Sequence, residues 1–443
     1  MNDKPKYRRV ADDISGRIES GEFSPDERLP AIRTLADAIG VNITTVVRAY
    51  KYLEQQGIVY SLVGSGTYVA GSSGGVSESV QSAFSSEFIN FADTSTDPEY
   101  FPKEDFRRAF DAVLERDGSA AFRPPSNPGL GYGPLRDIFR EYLPFDCDAD
   151  NIRVISNLRQ GISIVSKALL SPGDRVLVEC PTAQGAETIF TSLGARIIRL
   201  PLEVTGPDLD KLERLVRKHK PKLFFLMPTY QIPTGLCYTN DAKTGILRLA
   251  GEYGIYVIEA DSFGDFYYGQ RPVPMKAMDS HSIVFYIKSF DRVLAPDLAG
   301  CLIGSAACPL GETIGVPGYI QRGLDYYLRH GGFKEHSDRM RVRYGKRYAR
   351  AVAAVDTFLA PFASYIKPEG GLSLYLRPNS AKISIDRFGE ALLKRKVLVS
   401  PGGLFTPVGG KESCFRISFA NVNEDKISEG IGIIAQEFSQ GGA

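Results

Sequence analysis

The feature that most constrains the fold is an alternation of apolar and amphipathic stretches between residues 175 and 290. The apolar runs RVLVEC, ARIIRLPL, KLFFLMP, IYVIEA and SIVFYI have the length of buried strands, and helical patterns such as GPDLDKLERLVRKHK and DAKTGILRLAGEYG separate them. Strands that alternate with helices form parallel sheets, because each helix crosses over the sheet and covers one of its faces. The pattern therefore predicts an α/β domain with a mostly parallel sheet and helices on both faces.

The length of the chain, 443 residues, is more than one ordinary hydrophobic core can hold, so at least two domains are expected. Residues 71–87, GSSGGVSESVQSAFSSE, have the composition of a flexible linker. We therefore predict a first domain at 1–70, a linker at 71–87 and a second domain at 88–443. In the second domain, GGLSLYLRP and CFRISFA lie on either side of IDRFGEALLKRK, which predicts a smaller α+β subdomain near the end.

Residues 1–70 predict three short helices followed by two strands. Apolar residues recur every four positions from Val10 to Ile18, LPAIRTLADAIG gives a second helix that stops at Gly40, and Asn42 is a suitable N-cap for a third helix, ITTVVRAYKYLEQQ. Two helices joined by so short a turn form a helix-turn-helix. The segment IVYSLVGSGTYVA adds two strands that would form a wing.

This first domain is predicted to bind a double-stranded DNA operator. A recognition helix reaches base edges with its first turns, and glycine-containing wings approach phosphates closely. The alternative is a small helical domain with ordinary exposed polar residues, since positive and negative charges over the first 70 residues balance. The candidate DNA-contacting residues are Arg33, Asn42, Thr44, Thr45, Arg48, Gly64, Ser65, Gly66 and Thr67.

Composition limits the other partners. The net charge is +1, so any binding to nucleic acid must come from a local patch. No apolar run reaches the length of a membrane span, and the first residues lack the apolar core of a signal peptide, so we expect a cytoplasmic protein without a membrane partner. The six cysteines show no C-x-x-C pair, so no metal site is expected.

The amino-terminal motif resembles a known family. The stretch from GEFSPDERLP through ITTVVRAYKYLEQQGIV to GSGTYV is similar to the winged helix-turn-helix of the GntR superfamily of bacterial regulators. One departure is that the family usually has Ser-Arg where this chain has Asn42 and Ile43. The operator sequence therefore does not follow from the resemblance.

The remainder, about residues 90 to 440, resembles the fold-type I aminotransferase domain of MocR-type members of that superfamily. The segments that carry the resemblance are GLGYGPLRDIFREYL, LLSPGDRVLVECPT, PTYQIPTG, VIEADSFGDF and YIKSFDRVLAP. Such domains build their pocket at a dimer interface, so the resemblance implies a homodimer.

The family binds pyridoxal phosphate through a lysine Schiff base, and Arg292 stands at the position of that lysine in YIKSFDRVLAP. A guanidinium, with a pKa above about 12, does not act as the free amine that attacks an aldehyde. Lys288, four residues earlier, is the nearest lysine. Attachment there would need a shifted geometry.

Other positions that the family uses for the cofactor also differ. Ala260 and Ser262 replace the carboxylate for the pyridine nitrogen and the phenol for the ring oxygen. An arginine for the phosphate is replaced by Ala299, and the stacking aromatic residue by Ala183. The small residues of the phosphate cup correspond to Asn157, Leu158 and Arg159.

These differences lead to the hypothesis of a transcription regulator that is not an enzyme, has no bound cofactor, and binds a small, anionic effector in a catalytically inactive aminotransferase-like domain. The alternatives are a regulator that senses pyridoxal phosphate noncovalently and an active aminotransferase. Arg416 in CFRISFA matches the family's arginine for a substrate carboxylate, unless it only pairs with a nearby carboxylate. The candidate effector-binding residues are Arg416, Arg292, Arg159 and Asp261; pairing of Asp261 or Asp291 with Arg292 would instead close the pocket.

Overall fold

The computed structural model describes residues 6–24, 27–55, 58–62, 66–69, 88–183, 185–294, 298, 300–304, 310, 315–330, 332–380, 383–406 and 413–440. Its amino-terminal elements are α1 (Lys6–Glu19), α2 (Ile32–Ala38), α3 (Ile43–Gln55), β1 (Val59–Leu62) and β2 (Gly66–Val69). The strands β1 and β2 pair antiparallel. The predicted winged helix-turn-helix is thereby confirmed. The predicted linker, residues 71–87, lies outside the described part of the chain.

The turn between α2 and α3 follows from local chemistry. Gly40 adopts φ +64, a left-handed conformation that glycine tolerates without a steric cost. Asn42 Oδ1 then accepts the backbone N–H of Thr44 at 3.0 Å, as an N-cap does. Val46 and Leu53 of α3 are buried against α1 and α2. The third helix is therefore held by its cap and by one apolar face.

The second unit begins with β3 (Ile89–Asn90) and continues through a large α/β layer structure. Its elements up to the end of the main sheet are α4 (Lys103–Asp117), α5 (Gly133–Tyr142), β4 (Ile152–Ile155), α6 (Leu158–Leu169), β5 (Arg175–Cys180), α7 (Ala186–Ser192), β6 (Arg196–Glu203), β7 (Gly206–Pro207), α8 (Leu209–His219), β8 (Leu223–Leu226), α9 (Asn240–Tyr253), β9 (Tyr256–Asp261), β10 (Val284–Ser289) and β11 (Gly300–Ile303). No helix in the described ranges is long and apolar enough to cross a membrane.

The main sheet has eight strands in the order β4-β11-β10-β9-β8-β5-β6-β7. The five strands from β10 to β6 run parallel, as the alternation predicts. The outer strands β11, β4 and β7 pair antiparallel, which the pattern did not predict. β10 ends at Ser289 and β11 begins at Gly300, which leaves too few residues for a helical crossover, so the chain returns in the opposite direction. The sheet is therefore parallel in its centre and mixed at its edges.

Side chains of the central strands alternate between two buried faces. On β9, Ile258 and Ala260 pack in an apolar cluster with residues of α6 and α7. Glu259 and Asp261 point to the other face, where Glu259 accepts the backbone N–H groups of Met275 and Lys276, each at 2.7 Å. This alternation decides which residues can share a site at the end of the sheet.

The predicted α+β subdomain forms the last part of the chain, after two long helices. The remaining elements are α10 (Gly318–Arg329), α11 (Gly332–Phe358), β12 (Ala363–Tyr365), β13 (Ser373–Pro378), α12 (Ile385–Lys394), β14 (Val397–Leu398), β15 (Ser400–Pro401), β16 (Phe415–Ser418) and α13 (Glu424–Ser439). A four-stranded sheet has the order β12-β13-β16-β15, and β14 pairs parallel with β3. The pairing of β3 with β14 thus connects the first strand of the second unit to its C-terminal subdomain.

Glu179 connects β5 to the segment that follows β8. Its carboxylate is fully buried and accepts the N–H of Met227 at 2.9 Å, Nε2–H of Gln231 at 3.2 Å and a short hydrogen bond from the Tyr238 hydroxyl. Burial raises the pKa of Glu179 to about 7, although these hydrogen bonds oppose the shift. The folded protein therefore binds a proton at Glu179 more tightly than the unfolded chain does.

We predict that this carboxyl makes stability fall with pH. Because its folded-state pKa lies above the unfolded value, its contribution is complete below the unfolded pKa, about 4.3, and is lost as the pH rises through 7. In urea unfolding followed by circular dichroism, Glu179→Gln should reduce the loss of stability between pH 5 and pH 8 by on the order of 2–3 kcal/mol.

Glu259 has its pKa raised to about 7 by burial as well, so Glu259→Gln should give a second partial reduction. Glu252→Gln provides the control, because it makes the same substitution at an exposed position, where Glu252 contacts Arg248. An equal pH dependence in wild type and in Glu179→Gln would contradict the assignment.

Candidate functional site

Arg416, on β16, lies in the interior with 8% of its surface exposed. Its Nη2 donates to the Ala92 carbonyl at 3.1 Å and to Ser400 Oγ at 2.9 Å, and its guanidinium lies 5.0 Å from the centroid of the Phe405 ring. Its Nε has no hydrogen-bond partner among the described residues. Neutral groups thus surround most of a buried cation.

The surroundings lower the pKa of Arg416 to about 10, chiefly through burial and next through the positive charge of Arg292. Asp93 opposes the shift from a distance, without an ion pair. Arg416 remains charged at neutral pH and is nine-tenths removed from water. Within the described residues, no carboxylate pairs with it.

Arg292 follows β10 and reaches the same segment of chain as Arg416. Its Nη1 donates to the Thr94 carbonyl at 2.6 Å, two residues after the carbonyl that Arg416 contacts. Its Nε lies 3.6 Å from Asp291 Oδ2, which is a loose ion pair, and 23% of its side chain is exposed. Arg292 is therefore only partly compensated and adds positive charge near Arg416.

Asp261 lies with Lys288 rather than with Arg292. Its Oδ2 accepts the Tyr286 hydroxyl at 2.6 Å and lies 3.3 Å from Lys288 Nζ, and its Oδ1 accepts the Gly264 N–H at 2.7 Å. Asp261 follows Ala260 on β9 and therefore points to the opposite face of the sheet, where Lys288 stands opposite it on β10. Among the described residues, no hydrogen bond or ion pair joins Asp261 to Arg292 or Arg416, with which the sequence had grouped it.

Lys288 is a buried ammonium held between two carboxylates. Its Nζ lies 2.8 Å from Asp265 Oδ2 in addition to its contact with Asp261. Burial would lower the pKa of Lys288, but these two carboxylates raise it above its usual value. Burial would also raise the pKa of Asp261, yet Lys288 and the hydrogen bonds to the carboxylate keep it below its usual value. Both groups are therefore charged at neutral pH.

Arg159 lies in the first turn of α6 and is exposed. A Cβ atom on Gly185 would come within 2.7 Å of its Nη1, so its guanidinium packs against that glycine. The preceding Asn157 caps α6, since its Oδ1 accepts the Gln160 N–H at 2.8 Å. The Asn157 side chain thus occupies the N-terminus of α6, a place where a phosphate group could otherwise bind. No hydrogen bond or ion pair in the described part of the chain joins Arg159 to Arg416.

Pyridoxal phosphate is the cofactor that this fold implies, and the residues present do not fit its covalent attachment. Arg292 offers a guanidinium that already donates to Thr94. Lys288 is an ammonium fixed by two carboxylates on the other face of the sheet. Ala260 contributes only a methyl group to an apolar cluster. A free amine and a carboxylate for the pyridine nitrogen are therefore missing from the expected positions. The position of Ala299 lies outside the described residues.

The candidate DNA-contacting residues of the helices form an exposed group. Arg33, Thr44 and Arg48 are exposed and Thr45 is half-buried. Asn42 is used as the cap of α3. Ile43, which stands where the family usually has an arginine, is 44% exposed in the first turn of α3. An apolar side chain at that place suits contact with a thymine methyl group.

The predicted wing residues differ in their surroundings and in their exposure to solvent. Gly64 and Ser65 lie outside the described residues. Gly66 has φ +128, and a Cβ there would come within 2.8 Å of Arg28 Nε. Thr67 is only 8% exposed, because it pairs with Ser61 in the β1–β2 sheet and packs inward. Its predicted phosphate contact is therefore at odds with its burial.

Several residues around the arginine pair gave no signal in the sequence. Ser400, Phe405 and the Ala92 carbonyl contact Arg416 from segments far apart in the chain. Asp265 pairs with Lys288 in the same way. None of them belongs to a spaced motif, so only the fold reveals them.

Comparisons with known proteins agree with this architecture. Residues 6–69 match the model for bacterial regulatory proteins of the gntR family, and residues 139–293 and 314–434 match that for aminotransferase class I and II. The chain is 24% identical over 472 residues to an uncharacterized HTH-type transcriptional regulator of Bacillus subtilis, YisV, with 98% of this chain and 96% of the relative covered.

Other relatives are enzymes. The chain is 28% identical over 355 residues to 2-aminoadipate transaminase of Thermus thermophilus, with 77% of this chain and 88% of the relative covered. The crystal structure of Pyrococcus horikoshii kynurenine aminotransferase superposes with a TM-score of 0.75 and 26% identity, over 83% of this chain and 94% of the other.

These relatives correct one prediction. The inference that this chain is not an enzyme is wrong, because its larger part belongs to the aminotransferase family and its relatives include transaminases. The residues at Arg292 and Ala260 concern only how a cofactor could attach, and this question is narrower than whether the chain is an enzyme. The domain order is that of MocR-type regulators. The chain belongs to the aminotransferase class I and II family, and a DNA-binding domain of the gntR family of bacterial regulatory proteins precedes that part of it.

Proposed function

We propose that this DNA-binding regulator responds to a small anionic compound that its aminotransferase-like domain binds at Arg416 and Arg292, without a Schiff base at position 292. The observation that carries the proposal is the buried guanidinium of Arg416, which has an unused Nε donor and no carboxylate partner among the described residues. A regulator and an aminotransferase both need to bind their compound first, so the proposal concerns the binding step.

Energetics favour a ligand at this place. A buried cation is costly unless a counter-charge compensates it, and carbonyl and hydroxyl oxygens do so only in part. Arg292 increases the excess of positive charge, because its only carboxylate partner in the described ranges is the loosely placed Asp291. A carboxylate or phosphate would supply both the charge and a planar or forked acceptor for guanidinium groups. Arg159 is the third candidate, although it lies at the start of α6.

The DNA-binding part of the proposal rests on the exposed face of α2 and α3. A homodimer would present two winged helices to two half-sites, as symmetric regulators do. Arg33 and Arg48 would contact bases or phosphates, and Ile43 would contact an apolar base edge. A regulator that acts on chromosomal DNA in this way works in the cytoplasm.

The first prediction of the proposal concerns Arg416. In thermal-shift measurements on the full chain, a panel of carboxylates and phosphates should include a compound that stabilises the wild type, by about 2.7 kcal/mol at 100 times its Kd. Arg416→Ala should abolish that stabilisation, and Arg416→Lys should retain part of it, because it keeps the charge but not the fork. Arg377→Ala, which changes an exposed arginine on the neighbouring β13, is the matched control. Equal stabilisation in wild type and Arg416→Ala, or none with any compound, would refute anion binding at this place.

The second prediction concerns operator binding. Arg33→Ala and Arg48→Ala should each weaken binding by about 1–3 kcal/mol and lower the slope of affinity against salt by about 1 for a lost phosphate contact. Gel-shift titrations at several salt concentrations measure both quantities. Lys51→Ala, later on α3, is the control and should have a smaller effect. If neither arginine variant changes affinity, the recognition surface lies elsewhere.

The third prediction concerns covalent attachment. Borohydride reduction in the presence of pyridoxal phosphate, followed by peptide mass spectrometry, should leave no phosphopyridoxyl group on wild-type Lys288, since its ammonium is held by Asp261 and Asp265. Arg292→Lys is the matched variant, because it restores an amine at the same position, and it should be labelled above the wild-type background. A stoichiometric adduct on wild-type Lys288 would show that the site departs from this account.

A further inference from the structure

A cavity lies where the end of β10 meets the beginning of α11, and Arg416 does not line it. Its volume is about 310 Å³, at the lower end of the range in which proteins bind small molecules. Charged side chains of both signs and several aromatic rings line it. The cavity is therefore polar at some points and apolar at others, as a site for a small amphipathic molecule would be.

Two opposite charges stand side by side in its wall. Arg271 Nη2 lies 3.6 Å from Asp265 Oδ1. The Asp265 side chain is 12% exposed, and Lys288 Nζ, 2.8 Å from its Oδ2, engages only one of the about four acceptor sites of the carboxylate. Asp265 thus retains acceptor capacity in a largely buried place. The Arg271 side chain is 41% exposed and can turn its remaining donors toward a ligand.

Lys288 holds the Asp265 carboxylate in position. Lys288 is held by both Asp261 and Asp265, so its position is set by two contacts. Two carboxylates here contact one ammonium, and Arg271 is the only further cation within ion-pair distance of either carboxylate among the described residues. A ligand's ammonium group next to Asp265 would compensate the second carboxylate more fully than the half-exposed arginine does.

The remaining walls are aromatic. Phe290 and Phe333 line the cavity with their rings 5.4 Å apart and perpendicular. Tyr267 lines it as well, and the guanidinium of Arg341 lies 4.5 Å from the centroid of its ring. An apolar side chain of a ligand would find contacts on these rings.

We propose that this cavity binds a free α-amino acid with an apolar side chain, whose ammonium group contacts Asp265 and whose carboxylate contacts Arg271. Both groups stand on one carbon atom in such a ligand, which suits two opposite charges that lie 3.6 Å apart in the wall. The side chain packs against Phe290 and Phe333. This site is separate from the arginine pair of the proposed function and does not depend on it.

The test is isothermal titration calorimetry on the full chain with L-phenylalanine and L-leucine as probes. At least one of them should bind, and its amine and carboxylic acid analogues, phenethylamine and 3-phenylpropionate for phenylalanine, should each bind at least ten times more weakly. The reason is that each analogue leaves either Asp265 or Arg271 without its partner. Binding of neither amino acid at millimolar concentration, or equal binding of an analogue, would overturn the proposal.

Variants locate the site. Arg271→Gln should weaken binding at least tenfold, whereas Arg248→Gln, an exposed arginine on α9 that pairs with Glu252, should not. Ser337→Phe fills the cavity from α11, whereas Val342→Phe adds the same ring at a solvent-exposed position of that helix.

Loss of binding in Ser337→Phe but not in Val342→Phe supports the cavity, and retention in both overturns it. Arg416→Ala should bind the amino acid as the wild type does. Loss of binding in Arg416→Ala would place the amino acid at the arginine pair and overturn this proposal, while leaving anion binding at Arg416 open to its own test.

Discussion

The register between β9 and β10 decides which side chains share a face at the end of the main sheet. Ala260 stands opposite Ile287, and Asp261 opposite Lys288, in a parallel pair of central strands. Because successive side chains of a strand point to opposite faces, the first pair belongs to the apolar layer beneath α6 and α7, and the second to the polar layer near α11. A shift of one residue would exchange these roles and bury an ion pair in an apolar layer. The register therefore brings Lys288 to Asp261, whereas Arg292, four residues later in the chain, contacts Thr94 instead.

Two of the buried cations in the described part of the chain, Lys288 and Arg416, are compensated in different ways. Lys288 has two carboxylates within ion-pair distance, so its charge is balanced inside the fold. Arg416 has a carbonyl, a hydroxyl and an aromatic face, all of them neutral. A cation that is balanced internally contributes to structure, whereas one surrounded by neutral groups needs an external anion to recover its desolvation cost. This contrast is the physical reason for placing anion binding at Arg416.

Membership in an aminotransferase family and the identity of individual side chains at the expected cofactor positions answer different questions. The family follows from the sheet, its order and long matched segments, which hold together a whole hydrophobic core. Cofactor attachment depends on a few side chains, such as those at Arg292 and Ala260, and these can change without altering the core. The side chains at Arg292 and Ala260 therefore do not decide whether the chain is an enzyme. The relatives show that the fold serves both regulators and transaminases.

The sequence alone determined the order of elements, because apolar periodicity, caps and glycine stops act over a few residues. It gave the winged helix-turn-helix, the central parallel strands and the positions of Arg292 and Arg416. It did not give the antiparallel edges of the sheet, the burial of Thr67, or the pairing of Lys288 with Asp261 and Asp265. Nor did it show that Ser400 and Phe405 surround Arg416. These facts depend on which distant segments contact each other, and local sequence patterns do not predict such contacts. Only the folded structure brings residues 92 and 400 to the guanidinium of Arg416.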